Sequence, residues 1–422
     1  MTGTQTQTQT QTQTQTQTQT ASTSLFLSRT RPGPWLRLSA LAAAGGTLLA
    51  VISGAENLGT AHRLLAALVV PPLAALVVSA WYAHRRLVPA ALAAAALFAA
   101  AAAVPGSHAH AGLAAFALAA LVVVVAESFR GEPVPWGSWR DYVALTKPRI
   151  MSLLLITGFC GMVAGARGWP GTGTALAAMF GLALACGGAS ALNHVLDRDI
   201  DPLMGKRTSA RPVASGRVSA SRALEFGLAL SAFSFVLLAS AVNVLTAILA
   251  LVGNLFYVLV YTRWLKRSTS QNIVIGGAAG AVPPLVGWAA ATGHVGFAAL
   301  LLFVIVFIWT PPHFWALALL IKENYAAAKV PMLPVVRGDR ETARQIVLYS
   351  LALVAVTLLP WGWGGAGPFY VVCALALGAV FVGMAEKLRR DTTPRRAMLL
   401  FHYSLLYLAL LFAALAVDAV IG

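Results

Sequence analysis

Thirteen long apolar segments, separated by short polar stretches, run through this sequence. A membrane-spanning helix needs about 20 mostly apolar residues, because every backbone N–H and C=O group in hydrocarbon must be bonded within the helix. Only 10% of the residues are charged and 58% are hydrophobic, which is too apolar for a water-soluble domain. We therefore predict an all-α, polytopic protein embedded in the lipid bilayer. The predicted spans are 36–55, 64–82, 87–104, 111–126, 149–166, 174–192, 223–241, 244–262, 272–290, 297–320, 345–362, 368–385 and 397–418.

Basic residues between these segments predict the orientation of the chain. A net charge of +16 in a soluble protein would suggest nucleic acid, but here the charges lie between apolar segments, so we expect no nucleic-acid partner. If the N-terminus is cytoplasmic, 28 of the 30 Lys and Arg residues lie inside, and only Arg63 and Arg167 lie outside. The positive-inside rule then predicts a multi-pass protein of the cell (plasma) membrane with its C-terminus outside.

Composition divides the chain into three regions. Residues 1–34 are rich in Thr and Gln and too polar to bury a core, so we expect a disordered tail. Residues 35–130 contain four predicted transmembrane helices, and residues 139–419 contain the other nine.

An acidic loop at residues 193–212, NHVLDRDIDPLMGKRTSARP, follows the sixth apolar segment directly. Asn193, Asp197 and Asp201 stand four residues apart and would share one face if the helix continued. Carboxylates at a membrane boundary are costly unless they are paired or bind a cation, and such oxygen ligands suit Mg²⁺ held together with substrate phosphates. Arg207 and Arg211 would add positive charge for the same anion.

Two other interpretations of the acidic loop compete with metal–diphosphate binding. Most charged loops of this kind are simply solvated, and the loop alone does not decide between a solvated loop and metal–diphosphate binding. A calcium loop is disfavoured, because an EF-hand needs Gly at its sixth position and Glu at its twelfth, where this chain has Pro202 and Thr208.

The acidic loop and four further stretches together resemble the UbiA-type prenyltransferases, and within them the haem O synthases. They occur in the order typical of that family over about 280 residues. The resemblance implies a UbiA-type nine-helix transmembrane bundle over residues 139–419, preceded by the four-helix transmembrane segment. The further stretches are DYVALTKPRIM at 141–151, YTRWLKRSTSQNIVIGGAAGAVPPLVGW at 261–288, TPPHFWALAL at 310–319 and VPMLPVVRG at 330–338.

This resemblance implies functional roles for individual residues. The metal ligands would be Asn193, Asp197 and Asp201, with Asp199 supporting the loop. The residues implied in catalysis are Asn193, Asp197, Asp201, Arg207, Arg211, Lys266 and Arg267. The residues implied in substrate binding are Lys147, Arg149, His313, Lys322, Glu323 and Tyr325.

The second acidic motif departs from the family pattern. The family usually has an aspartate just before the tyrosine of the loop after its sixth helix, and here IKENY places Asn324 there. We expect Glu323 to replace that aspartate as a ligand, with Lys322 and Tyr325 contacting the diphosphate.

His313 follows Pro311 and Pro312 inside an apolar segment. An ionisable residue within a membrane helix is a candidate functional residue. A structural role is equally compatible with the spacing, in which His313 bonds carbonyl groups that the two prolines leave free. The resemblance favours contact with a porphyrin.

The reaction that the resemblance implies is transfer of a farnesyl group from farnesyl diphosphate to a vinyl group of haem b, with Mg²⁺ as cofactor. Haem A synthase is a further partner that the resemblance suggests. A first alternative is a related prenyltransferase acting on a quinone precursor or chlorophyllide, which would share the acidic loop. A second is a transporter, which would show repeated broken helices, and the sequence has no clear repeat.

Histidines mark the outer ends of the four N-terminal helices. His62 opens the second helix, and His108 and His110 precede the fourth. The stretch AHRLLAALV and these histidines resemble half of a haem A synthase, which implies haem binding by His62 and His110. The alternative is a degenerate bundle whose histidines merely lie at the membrane interface.

Overall fold

The computed structural model describes residues 33–55, 59–105, 108–129, 137–362 and 365–421, so residues 1–32 of the predicted tail lie outside the described residues. Thirteen described helices are long and apolar enough to cross a membrane. The predicted all-α, polytopic fold is confirmed. The helices are α1 Pro34–Ala55, α2 Thr60–Tyr82, α3 Arg85–Ala103, α4 His110–Ser128, α5 Pro148–Ala166, α6 Thr172–Leu196, α7 Ala220–Ala241, α8 Val244–Ser268, α9 Asn272–Thr292, α10 Phe297–Leu320, α11 Leu333–Gly362, α12 Pro368–Arg390 and α13 Pro394–Ile421.

Helix α11 differs most from its predicted span, because it begins at Leu333 and not at residue 345. Its first part carries several charged residues, so a search for apolar segments misses it. Gly338 interrupts this part with a φ of 77°, a left-handed conformation that glycine adopts without strain. This break leaves the residues before Gly338 as a separate short helical turn at the start of α11.

Helices α5 and α9 cross with their backbones in contact. A Cβ atom added to Gly287 would lie 1.8 Å from the carbonyl oxygen of Gly158, and one added to Gly161 would lie 2.8 Å from the carbonyl oxygen of Pro284. Small residues allow this close approach, which is the usual way membrane helices associate. The crossing fixes the position of α9 relative to the rest of the bundle.

The four N-terminal helices pack against α7 of the other nine, chiefly through α4 and to a smaller extent through α1. The rings of Phe116 and Phe233 meet edge to face with centroids 4.8 Å apart. At the other end of the interface, Arg222 is buried and pairs with Glu127 of α4 and with Glu225 of its own helix. A buried arginine needs such partners, so the two regions share both apolar and ionic contacts.

The ends of α6, α8 and α10 meet the starts of α9 and α11 at one boundary of the bundle. A cluster of buried apolar residues joins the connecting loops there, including Ile200, Ile273, Tyr325 and Met332. The acidic loop lies at this boundary, because its Ile200 and Met204 belong to the same cluster.

Candidate active site

The acidic loop continues the hydrogen-bonding pattern of α6 beyond its last helical residue. The amide of Asp197 donates to the carbonyl oxygen of Asn193 at 2.9 Å, and the amide of Asp201 donates to that of Asp197 at 2.8 Å. Asn193, Asp197 and Asp201 are all buried, with at most 3% of their surface exposed. The four-residue spacing therefore does bring these oxygen-bearing side chains to one place.

Three basic residues from different parts of the chain contact these side chains. Lys147 Nζ donates to Asn193 Oδ1 at 2.7 Å, and Lys266 Nζ donates to Asp197 Oδ2 at 2.6 Å. Asn193 Nδ2 also donates to Asp197 Oδ2 at 2.8 Å, which joins the two contacts. A separate pair has Arg211 Nη1 donating to Asp201 Oδ1 at 2.6 Å. We call Lys147, Asn193, Asp197, Asp201, Arg211 and Lys266 the central cluster.

One oxygen of each aspartate remains without a partner. Asp197 Oδ1 and Asp201 Oδ2 are buried and accept no hydrogen bond. Unsatisfied carboxylate oxygens in a buried site are costly, so the site is suited to a cation. No group of three or more His, Cys, Asp or Glu side chains with metal-binding geometry occurs among the described residues. Two carboxylates with substrate phosphates are nevertheless the usual set for Mg²⁺, and the residues present fit that ion.

The protonation of the cluster reflects its burial. Burial and the nearby Arg211 guanidinium lower the pKa of Lys147 to about 7. Burial also raises the pKa of Asp201, although its hydrogen bond with Arg211 opposes this change. Both shifts disfavour the charged form of the side chain. A bound anion would favour the charged form of Lys147, and a bound cation would favour the charged form of Asp201.

Other residues implied by the family resemblance lie outside the central cluster. Arg267 donates to both oxygens of Asp199 at 2.6 and 2.7 Å and to the carbonyl oxygen of Leu196 at 2.7 Å. This bond lowers the pKa of Asp199 to about 2. Arg267 thus connects the acidic loop to the end of α8. Arg149 and Arg207, by contrast, are exposed.

The structure places Glu323 and Asn324 of the second acidic motif differently relative to the acidic loop. Lys322 to Ala327 form a short helix, in which Glu323 is exposed and Lys322 pairs with Asp339 at 3.0 Å. Asn324 instead lies against the acidic loop, because a Cβ atom on Gly205 would be 3.1 Å from Asn324 Nδ2. Successive helical residues point about 100° apart, so only one of Glu323 and Asn324 can face the loop.

Tyr325 is buried beside the acidic loop, in the apolar cluster that contains Ile200 and Met204. Burial raises its pKa to about 12, which keeps the phenol protonated. Its hydroxyl group is therefore a hydrogen-bond donor at neutral pH.

His313 connects α10 to α13. Its Nδ1 lies 2.6 Å from Ser404 Oγ, and this hydroxyl donates to the carbonyl oxygen of Phe401, also at 2.6 Å. With the Ser404 hydroxyl donating to Phe401, the matching tautomer of His313 carries its proton on Nδ1 and leaves a lone pair on Nε2. The ring is stacked between Trp309 and Phe401. His313 therefore bonds a neighbouring helix and not the carbonyl groups left free by the two prolines.

Three buried polar groups were not predicted as functional residues. Asn272 is fully buried, and neither its Nδ2 nor its Oδ1 has a partner. The ring of His194 is 2% exposed, and both of its nitrogens lack partners. Thr262 accepts a hydrogen bond from Asn193 Nδ2 at 3.1 Å and lies in a π-helical part of α8, Phe256–Leu265. Such π-helical segments often occur at functional sites, but no sequence signal revealed this one.

In the N-terminal helices the structure brings His62 and His110 together. Their ring centroids lie 5.8 Å apart. The Nδ1 atom of His62 bonds the carbonyl oxygen of Ala50 at 2.9 Å, and that of His110 bonds the carbonyl oxygen of Ala101 at 2.8 Å. The side chain of His108 lies outside the described residues.

Known proteins resemble the region that contains this site. The UbiA prenyltransferase family model matches residues 154–414. Over 281 residues the chain is 54% identical to a protoheme IX farnesyltransferase of Symbiobacterium thermophilum, covering 66% of this chain and 94% of that relative. It is 52% identical over 292 residues to a protoheme IX farnesyltransferase of Thermus thermophilus, covering 68% of this chain but only 48% of that longer relative.

A solved structure shares the architecture of the matched region. The digeranylgeranylglyceryl phosphate synthase superposes with a TM-score of 0.57 and 18% sequence identity, covering 67% of this chain and 99% of that chain. At this identity the likeness concerns the fold alone. The family match, the high identity to the relatives and the shared helical architecture agree with one another, and the chain belongs to the UbiA prenyltransferase family.

Proposed function

We propose that the chain transfers the farnesyl group of farnesyl diphosphate to a vinyl group of haem b, releasing diphosphate and giving haem O for haem A and cytochrome oxidase biogenesis. The observation that carries this proposal is the central cluster, in which one buried and two half-buried cations surround two buried aspartates that each keep one unpartnered oxygen. The haem b acceptor is supported by the relatives, which are named protoheme IX farnesyltransferases.

We assign the binding of the diphosphate to the central cluster. Asp197 and Asp201, with Asn193 beside them, would hold Mg²⁺, which neutralises the charge that develops on the diphosphate as it leaves. Lys147, Lys266 and Arg211 now occupy the remaining oxygens of these side chains. When substrate binds, we expect these cations to turn from the side chains to the diphosphate oxygens, where they stabilise the leaving group.

The covalent step then follows from the chemistry of an allylic diphosphate. The bond between C1 and oxygen breaks and its electron pair leaves with the diphosphate, while the π electrons of the vinyl group form a bond to C1. Water adds to the resulting carbocation on the porphyrin side chain and loses a proton. Ile200, Ile273 and Tyr325 form a buried apolar surface beside the acidic loop, which excludes other water from the reactive cation.

His313 and the more distant basic residues complete the proposed site. The lone pair on His313 Nε2 and the aromatic stack around it provide a surface that a porphyrin can contact. Lys322 and Arg207 lie at the same boundary as the diphosphate and remain proposed contacts to substrate. We place this boundary on the cytoplasmic side of the plasma membrane, with the N-terminus inside and the C-terminus outside.

The direct test is to incubate membranes that contain the protein with haem b, farnesyl diphosphate and Mg²⁺, and to separate the products by chromatography. Haem O is expected with the wild-type protein and absent with Asp197→Asn. A quinone precursor and chlorophyllide serve as competing acceptors. Farnesylation of one of these in place of haem b would assign the chain to another activity of the family.

A second proposal concerns the N-terminal helices, where His62 and His110 are proposed to ligate a haem iron. Each ring bonds a backbone carbonyl through Nδ1, which is how metal-bound histidines are usually oriented. The full chain with added haem should then show the spectrum of an iron bound by two histidines. His62→Ala should remove that spectrum but leave haem O formation intact, whereas an unchanged spectrum would support a purely interfacial role. Haem A synthase, as the enzyme that would use haem O next, remains a proposed partner.

A further inference from the structure

A groove opens between the start of α9, the end of α10 and the start of α11, at the boundary that also holds the acidic loop. Its volume is about 80 Å³. Trp315, Leu333 and Tyr349 form its apolar wall, while Gln271 and Arg337 lie on its polar side. None of these five residues belongs to the central cluster.

The wall of the groove contains an unused hydrogen-bond donor. Trp315 is 2% exposed, and its Nε1–H group has no acceptor. The indole ring meets Tyr349 edge to face, with centroids 5.3 Å apart, so its orientation is fixed by packing. Buried indole N–H groups normally have a partner, so this donor is a candidate contact for a ligand of the groove.

The charges around the groove favour an anion. Arg337 is exposed and has no hydrogen bond or ion pair within the described chain, and Arg340 and Arg344 follow it along α11. Glu341 is the acidic residue of the groove, but Gln345 donates to its Oε1 at 2.7 Å and Arg344 approaches its Oε2 at 3.5 Å. The Arg337 guanidinium is therefore available at the groove, although it also feels the charge of Glu341, whose oxygens are already bonded. The Trp315 N–H group is buried in the wall and has no acceptor there.

We propose that the groove binds the headgroup of an anionic phospholipid. Its phosphate oxygens would accept hydrogen bonds from Trp315 Nε1 and from Arg337. An acyl chain would run along Leu348, which is 47% exposed and lies one turn beyond Gln345 on α11. Basic pockets between transmembrane helices at a membrane boundary are suited to such headgroups, and the apolar wall disfavours a fully solvated anion.

Occupancy of the groove would also affect the acidic loop. Arg337 precedes the break at Gly338, and Asp339 just beyond it pairs with Lys322. The helix that begins at Lys322 carries Asn324, which lies against the acidic loop. A lipid that holds Arg337 would therefore stabilise the segment that supports the central cluster. This regulatory consequence rests on the proposed function, whereas lipid binding itself does not.

The test uses the purified full-length protein in phosphatidylcholine nanodiscs, with increasing fractions of phosphatidylglycerol. Wild-type protein should unfold at a higher temperature as phosphatidylglycerol increases, with saturation. Arg337→Gln and Trp315→Phe should each weaken the apparent affinity for phosphatidylglycerol at least about tenfold, because each removes a hydrogen bond to a charged group. Arg395→Gln is the matched control, since Arg395 is an exposed arginine at the same boundary on α13, outside the groove.

Each other outcome overturns the proposal. Equal stabilisation of the variants Arg337→Gln, Trp315→Phe and Arg395→Gln would mean diffuse attraction to the membrane and no built site. A Trp315-dependent shift produced by inorganic phosphate or by haem b, but not by phosphatidylglycerol, would assign the groove to another ligand. Turnover is measured separately, so a protein that binds phosphatidylglycerol as expected but makes no haem O would contradict the proposed function alone.

Discussion

Asp197 and Lys266 form a buried pair, so variants of the two residues can separate the contribution of the Asp197 carboxylate to stability from its contribution to turnover. Asp197→Asn leaves Lys266, which is only 7% exposed, without its counterion. Removing one partner of a buried pair costs about 3–5 kcal/mol of unfolding free energy. We expect the free energy of unfolding to fall by about 3 kcal/mol, the low end of that range, because the new amide oxygen still accepts a hydrogen bond from Lys266.

Removing both charges together should restore most of this stability. The double variant Asp197→Asn with Lys266→Met has no unpaired buried charge, so we expect it to unfold within about 1 kcal/mol of the wild type. The single variants Asp197→Asn and Lys266→Met and the double variant should each lose turnover at least about a hundredfold, because none of them keeps both charges that stabilise the leaving diphosphate. Denaturant unfolding in micelles gives the stabilities, and chromatography of haem O gives turnover.

Two results would refute this reasoning. If the free energy of unfolding of the double variant were as low as that of the less stable single variant, Lys266 would not be the counterion of Asp197 in the folded protein. If Asp197→Asn retained wild-type turnover, the Asp197 carboxylate would not be needed for the reaction, and the proposed metal site would be wrong.

Three further changes test separate parts of the structure. Asn272→Leu should raise the unfolding temperature, since each unpartnered amide atom costs about 1–3 kcal/mol, while lowering turnover; unchanged turnover would make Asn272 a structural residue only. Asn324→Asp should lower the Mg²⁺ concentration needed for half-maximal turnover by adding a carboxylate beside the acidic loop, and an unaltered Mg²⁺ dependence would count against metal binding there. Gly287→Ala should cost more than about 3 kcal/mol, because its Cβ would overlap the backbone of α5, whereas Gly280→Ala, with nothing within 4 Å, should unfold like the wild type; equal stability of the two would contradict the crossing geometry.

The number and approximate positions of the membrane helices could be predicted because apolar length alone determines them. The prediction failed where a helix begins outside the apolar region. The residues from Leu333 to 344 of α11 are helical apart from Gly338, although several of them are charged. Packing against neighbouring segments explains why they are ordered. Sequence periodicity gives no signal for the break at Gly338 within that helix.

The acidic face of the site was also predictable, because a four-residue spacing brings Asn193, Asp197 and Asp201 together wherever the helical pattern continues. The partners of these residues were less predictable. Lys266 and Arg267 are adjacent in sequence, yet one contacts Asp197 and the other contacts Asp199, because neighbouring residues of a helix point in different directions. Tertiary packing decides which of two adjacent cations enters the cluster.

Unpaired buried groups lie beyond any prediction from a single sequence. The stretch that contains Asn272 contributed to the family resemblance, but the sequence could not show that its amide lacks partners. The same holds for Trp315, which in the sequence is an ordinary aromatic residue of a membrane helix, although its Nε1–H group has no acceptor in the structure. Both properties depend on where every neighbouring polar atom lies.

The backbone contact between α5 and α9 restricts how the protein can admit a large, flat substrate. Where two main chains touch through Gly158, Gly161 and Gly287, no side chain can rotate aside to widen a passage. We expect a porphyrin to enter where side chains, and not touching main chains, separate the helices. The junction of α10 and α13 is of this kind, since His313 and Trp309 of α10 both bond Ser404 of α13 through their side chains.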